Sequence, residues 1–65
     1  MSGMVDLFTV KRVLALDLGM SHRAIVAHLD ELGLPVTAGS DSAAISLAQA
    51  LQIVAVAESR ARAVA

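Results

Sequence analysis

The chain has 65 residues, of which 57% are hydrophobic, and its formal net charge is −1. This length allows a single domain, and the absence of cysteine excludes disulfide bonds and thiolate metal sites. Phe8 is the only Phe, Tyr or Trp, so the stacking platforms that bind single-stranded nucleic acid are excluded as well. Because so small a core cannot bury all of the apolar surface, we expect a homodimer or a higher oligomer.

The sequence shows no arrangement that is typical of an enzyme. It has no nucleophile beside a base at a plausible spacing, and its acids Asp30 and Glu31 are adjacent and so point in different directions on a helix. His22 and His28 have no companion ligand near them, which argues against a metal site. We therefore expect no enzymatic activity, no cofactor and no bound metal.

No segment is typical of a signal peptide or of a membrane span. Residues 1–8 lack the basic start and the long apolar stretch of a signal peptide. The longest apolar-rich run, residues 43–57, contains polar side chains and is shorter than the about 20 apolar residues that a bilayer requires. We therefore expect a cytoplasmic protein of bacterial type without a membrane partner.

The first half of the chain predicts two helices joined by a glycine turn. Residues 1–8 are expected to form a flexible lead, and Thr9 is a suitable N-cap for a first helix over about residues 10–17. Gly19 can adopt the left-handed conformation that ends a helix. Ser21 then caps a second helix over about residues 22–32. Its core-facing stripe comprises Ile25, Leu29 and Leu32, and the helix is ended by Gly33 and Pro35.

The second half predicts one long helix. After a connector at residues 36–39, Ser40 or Asp41 can cap a helix over about residues 42–62. Its apolar residues cover more than half of the circumference, so one side is expected to pack on the first two helices and another on a second copy. The residues expected in that oligomer contact are Leu47, Leu51, Ile53, Val54, Val56 and Ala57.

The predicted fold is therefore an all-α domain of three helices without an internal repeat. It divides into a lead (residues 1–8), a helix-turn-helix (residues 9–39) and a C-terminal oligomerisation helix (residues 40–65). The helix-turn-helix requires a small residue at the helix crossing, a glycine turn, a cap and inward apolar residues. These requirements are met by Ala15, Gly19, Ser21, Ile25 and Leu29. A generic helical hairpin with a glycine turn remains the alternative.

Two resemblances follow from this segment. Residues 18–33, LGMSHRAIVAHLDELG, resemble the helix-turn-helix of many bacterial repressors, including the ArsR type, in the leucine-glycine turn, the serine cap and the pair His28-Leu29. Residues 10–36 are also similar to the small N-terminal domain of bacterial translation initiation factor two, including the closing Glu31-Leu32-Gly33 and Val36. Each resemblance covers less than half of the chain.

The repressor resemblance implies that the second helix enters the major groove of double-stranded DNA. The residues that it would place at bases or phosphates are Lys11, Arg12, Ser21, His22, Arg23, Val26 and Ala27. Arg60 and Arg62 are interpreted as helix-end charges, with phosphate anchors in a dimer as the alternative, and His28 is interpreted as a packing residue. The leading hypothesis is thus a homodimeric helix-turn-helix DNA-binding protein that regulates transcription.

Two other classes stay open. A protein-interaction or assembly module could use Val26, Ala27 and the apolar third helix to bind a larger machine, such as a ribosome, a polymerase or a scaffold. The near-neutral charge and the high apolar content favour this alternative. A homo-oligomeric scaffold without an outside partner is the third possibility.

Overall fold

The computed structural model describes residues 3–37 and 39–64. Three helices carry most of the chain, α1 (Leu7–Asp17), α2 (His22–Glu31) and α3 (Leu47–Val64). Two short strands, β1 (Met4–Asp6) and β2 (Ala44–Ser46), lead directly into α1 and α3, and a 3₁₀ helix (Ser40–Ser42) precedes β2. The prediction of a mainly helical fold with three helices is confirmed, whereas the prediction of a strictly all-α fold is wrong.

The two strands pair with each other in antiparallel register. Val5 lies opposite Ile45, and the backbone amide of Leu7 donates to the carbonyl oxygen of Ala43 at 2.8 Å. At the other end of the ribbon, the amide of Leu47 donates to the carbonyl oxygen of Gly3 at 2.9 Å. The prediction that residues 1–8 form a flexible lead is therefore wrong for residues 4–8. Met1 and Ser2 lie outside the described residues.

Helix α1 begins earlier than the sequence predicts. Its N-cap is Asp6, whose carboxylate accepts a hydrogen bond from the backbone amide of Thr9 at 3.1 Å. The strand pairing holds Asp6 in an extended conformation, with φ −78° and ψ 153°, which is the geometry that an N-cap requires. Thr9 therefore lies within the first turn, and its hydroxyl also donates to the Asp6 carboxylate.

Helix α3 begins later than predicted, because here too a paired strand comes directly before the helix and its last residue forms the N-cap. Ser46 is the last residue of β2, and its hydroxyl oxygen accepts from the backbone amide of Gln49 at 3.1 Å. Ser40 and Asp41, the predicted caps, belong instead to the 3₁₀ helix. The residues between the predicted start and Leu47 are thus used for a turn and a strand, and the continuous helix is correspondingly shorter.

Helix α2 and both of its boundaries follow the prediction closely. The Ser21 hydroxyl oxygen accepts from the backbone amide of Ala24 at 3.2 Å, and Gly19 has a φ of 64°. At the other end, Gly33 has a φ of 81°, and the amide of Leu34 donates to the carbonyl oxygen of Leu29 at 2.9 Å. This is the bond pattern of a Schellman motif, which satisfies the last carbonyl groups of a helix.

The core lies where the three helices and β2 meet. Its buried apolar members are Leu7, Val10, Leu14, Ile25, Leu29, Ile45, Ala50, Ile53 and Ala57. The predicted inward stripe of α2 is thus buried at Ile25 and Leu29, and Leu32 packs partly buried against it.

The oligomer contact predicted on α3 requires a correction. Ile53 and Ala57 belong to the core of the chain itself, because this side of α3 packs against the rest of the domain. Val54 is partly buried against the same core, and Val56 is half-buried. Of the predicted contact residues, Leu47 and Leu51 are the two whose side chains are largely exposed. A second copy could therefore meet α3 only along that narrower face.

Candidate nucleic-acid interface

The first half of α2 presents the side chains that the sequence predicts at base edges. His22, Arg23 and Ala27 are exposed, and Val26 is half-buried. These four residues line one shallow groove together with Asp30, Pro35 and Val36. The structure therefore brings the four residues that are predicted to contact base edges onto a single face. Pro35 and Val36 were not predicted there; they reach it because the Schellman motif turns the chain back after α2.

A second open groove lies between α1 and the beginning of α2. It is lined by Phe8, Lys11, Arg12, Ala15, Leu16, His22 and Ile25. His22 borders both grooves, so it lies between Arg12 on α1 and Arg23 on α2. Ala15, which the sequence places at the helix crossing, is exposed and lines this groove, so that assignment is wrong. Its neighbour Leu14 is buried in the core, as are Leu7 and Val10 of the same helix.

Lys11, predicted to contact a phosphate, is engaged within the chain. Its ammonium group lies 2.7 Å from the carboxylate of Asp41, and its side chain is only 15% exposed. Asp41 belongs to the 3₁₀ helix, so this ion pair connects α1 to the segment that precedes β2. The charge of Lys11 is consequently balanced on the protein surface, and its displacement by a phosphate would require this contact to open.

The two arginines of α3 also have acidic partners. Arg60 pairs with Glu31 on α2, and Arg62 lies 3.7 Å from Glu58 one turn earlier. By contrast, Arg12 and Arg23 form no ion pair with any residue in the ranges 3–37 and 39–64. Two arginines and the exposed His22 are therefore the groups around α2 that remain available to an anionic partner.

His28 connects α2 to α3. It is 4% exposed, and its Nε2 lies 3.0 Å from the carbonyl oxygen of Ile53. Because a carbonyl oxygen only accepts, Nε2 carries the proton and donates, which leaves Nδ1 to accept from Arg60 at 3.3 Å. The interpretation of His28 as a packing residue is confirmed, and its polar contacts across two helices are an addition that sequence periodicity does not reveal.

Two further findings limit the chemistry of the described surface. Within residues 3–37 and 39–64, no three His, Asp or Glu side chains are grouped closely enough to hold a metal ion. In the same ranges, no helix combines the length and the apolar character that crossing a bilayer requires.

No protein-family model matches the chain, and no curated protein or solved structure is detectably similar to it.

Proposed function

We propose that the protein binds double-stranded DNA, with the first half of α2 in the major groove. The observation that supports this proposal is the exposed face formed by His22, Arg23, Val26 and Ala27. This face begins at a helix N-terminus capped by Ser21, where the backbone amides and the helix dipole favour an anion. A recognition helix contacts base edges with its N-terminal residues, which is where these side chains lie.

Three residues of the face, His22, Arg23 and Val26, have a chemically matched partner on a duplex. The guanidinium of Arg23 has the geometry to donate two hydrogen bonds to guanine, and the methyl groups of Val26 fit against a thymine methyl. His22 can donate to a base or a phosphate. Arg12, across the groove on α1, is placed to meet the DNA backbone. In this proposal Arg23 determines sequence preference and Arg12 contributes affinity.

The charge available per chain makes a dimer part of the proposal. With Arg23 on a base and Arg12 on a phosphate, a monomer would show a slope of about −0.9 in log K against log salt, and a dimer about −1.8. The exposed Leu47 and Leu51 of α3 are the residues that we propose to join the two subunits. A homodimer with two recognition helices is the arrangement that transcriptional regulators use, and regulation of transcription in the cytoplasm is the role proposed here.

The experiment is duplex DNA binding by the full chain, measured by fluorescence anisotropy between about 50 and 200 mM salt with the solution mass recorded alongside. We expect sequence-selective binding whose affinity falls with rising salt at the slope calculated above for a dimer. Arg23→Ala should cost about 1–3 kcal/mol at the preferred site and less on other sequences.

Arg62→Ala is the matched control for the Arg23 substitution. It removes the same charge from an exposed arginine on α3, which lies outside the proposed interface. Equal losses for the two variants would show that binding follows net charge alone. No retention at the lower salt would exclude the DNA-binding proposal.

A protein-interaction or assembly module is the second candidate function. It is favoured by the large apolar side chains of Phe8 and Leu16, which are exposed on α1 beside the proposed DNA face. Substituting these two residues should leave DNA binding unchanged if they serve a different partner.

A further inference from the structure

The outer side of α1 carries an apolar stripe with a positive charge at its centre. Phe8 is 51% exposed and Leu16 is 71% exposed, although both are large apolar side chains. They lie about 12 Å apart along the helix at 1.5 Å per residue, and Arg12 lies halfway between them on the same side. In the described residues nothing covers this stripe, which is a combination that marks binding surfaces.

The stripe forms one wall of the groove between α1 and α2, defined above by Phe8, Lys11, Arg12, Ala15, Leu16, His22 and Ile25. Ile25 is buried and belongs to the apolar base of the groove. Arg12 and His22 border it, and no acidic side chain of the described residues lines it. The groove therefore combines an apolar base with an edge that is positive or neutral.

We propose that this groove binds an acidic amphipathic helix of a partner protein. Two apolar side chains of that helix, four or seven residues apart and so about 6 or 10.5 Å along its axis, would pack between Phe8 and Leu16. A carboxylate beside them would pair with Arg12. The inference goes beyond DNA binding, because Phe8 and Leu16 have no role in the proposed DNA contact, although Arg12 and His22 border both surfaces.

Charge and polarity favour this occupant over two others. A second copy of the chain would have to offer its exposed Leu47 and Leu51, but residues 47–53 contain no acidic side chain to pair with Arg12. A DNA backbone can contact Arg12 at the edge of the groove, but one that filled the groove would place phosphates against Phe8 and Leu16, where their charges would lose water without gaining a partner. An acidic amphipathic helix satisfies both the apolar wall and the charge.

The test is a titration of the isotopically labelled full chain with a synthetic acidic helical peptide, followed by amide chemical shifts. The peptide carries leucines four and seven residues apart, flanked by glutamates. A control peptide has the same leucines with lysines in place of the glutamates. We expect saturable shifts on α1 and at the start of α2, and affinity at least about tenfold higher for the acidic peptide.

Variants locate the interaction. Leu16→Glu should weaken binding of the acidic peptide by at least about tenfold, and the milder Leu16→Gln should weaken it to a lesser extent. Ser59→Glu, which adds the same charge at an exposed position of α3 outside the proposed contacts, should leave it unchanged. Arg23→Ala should also leave it unchanged, although that variant loses DNA affinity under the proposed function.

Three results would overturn the proposal. These are equal affinity for the acidic and the basic peptide, acidic-peptide affinity that does not fall in either Leu16 variant, and the absence of shifts in the groove. Duplex DNA that shifts the groove amides when the acidic peptide does not would assign the surface to nucleic acid instead. The DNA-binding proposal can fail independently, since it depends on Arg23 and on salt, and the groove proposal depends on Leu16.

Discussion

The chain contains two units of the same construction, β1–α1 and β2–α3. In each, a three-residue strand ends in a polar N-cap, Asp6 or Ser46, and a leucine begins the helix directly afterwards. Val5 pairs with Ile45, 40 residues further along the chain, and the hydrogen bonds of Leu7 and Leu47 close the ribbon from opposite ends. The two units are therefore related by an approximate twofold arrangement about the strand pair.

The burial of the two first helical residues is nevertheless very different. Leu7 is 3% exposed and Leu47 is 47% exposed. The 3₁₀ helix packs against α1 beside Leu7, where Lys11 pairs with Asp41. The same local backbone thus places one leucine in the core and the other on the surface, because burial depends on what packs around a helix and not on how the helix begins.

The largest expected effect is at this leucine pair. Leu7→Ala removes buried methyl groups and should lower the free energy of unfolding by about 2–4 kcal/mol. Leu47→Ala changes a half-exposed side chain and should cost about 0.5 kcal/mol or less at protein concentrations low enough to keep the chain monomeric. Urea unfolding followed by circular dichroism measures both. If Leu7→Ala leaves too little folded protein, Leu7→Val and Leu47→Val provide the same comparison with smaller losses.

If the Leu47 substitution lowers the free energy of unfolding nearly as much as the Leu7 substitution, a second copy of the chain covers Leu47 in solution. Unfolding midpoints that rise with protein concentration would then identify the dimer contact proposed on α3.

The two units also differ in how their helices are connected to α2, and the expected effect of breaking that connection is smaller. Helix α1 reaches α2 through the turn at residues 18–21, whereas α3 is joined to it by the buried His28. His28→Leu replaces the imidazole with an apolar side chain of similar size and removes the hydrogen bonds to the Ile53 carbonyl and to Arg60, so we expect a loss of about 1–2 kcal/mol. Arg60→Ala removes the contacts of Arg60 with His28 and with Glu31, which are more exposed, and should cost less. An equal loss in the two variants would show that the Ile53 contact contributes little.

The smallest expected effect is a difference in acid sensitivity between the two N-caps, Asp6 of α1 and Ser46 of α3. The hydrogen bond from the Thr9 hydroxyl, followed by that from the Thr9 amide, lowers the pKa of Asp6 below its ordinary value of 3.8. Since the folded-state pKa is the lower one, the stabilisation from Asp6 is complete above pH 3.8 and is lost as the pH falls through the folded-state pKa. Ser46 does not titrate, so the α3 cap should be insensitive to acid.

The measurement is the melting temperature between about pH 5 and about pH 2, a range that brackets the ordinary carboxyl pKa. Asp6→Asn preserves a good N-cap without an ionisable group, so its melting temperature should fall less in acid than that of the wild type. Ser46→Asn should fall in parallel with the wild type. Parallel curves for wild type and Asp6→Asn would show that the Asp6 carboxylate has no special role.

Local signals explain why α2 could be predicted and the strands could not. Ser21, Gly19 and Gly33 act within one turn of the helix ends, so their effects can be read from neighbouring residues. Asp6 and Thr9 are both acceptable caps by local preference. The choice between them is made by β1 pairing with β2, a contact that depends on residues far along the chain.

The candidate site divides in the same way. The resemblance to the repressor motif predicts that His22, Arg23, Val26 and Ala27 share one face, and all four line one groove of the structure. The pairing of Lys11 with Asp41, and of Arg60 with Glu31, depends on tertiary contacts that no spacing rule predicts. Counting charges along the sequence therefore overstates the cations that a partner can reach.

The strand pair also determines the order in which this fold can be completed during synthesis. The backbone hydrogen bonds that pair residues 3–7 with another strand all end within residues 43–47, so β1 has no strand partner while only the first two helices have left the ribosome. The glycine turn and α2 depend on local contacts and can form at that stage, but α1 cannot bury the residues that face β2 and α3. The protein thus becomes a complete folding unit only when its last third has emerged.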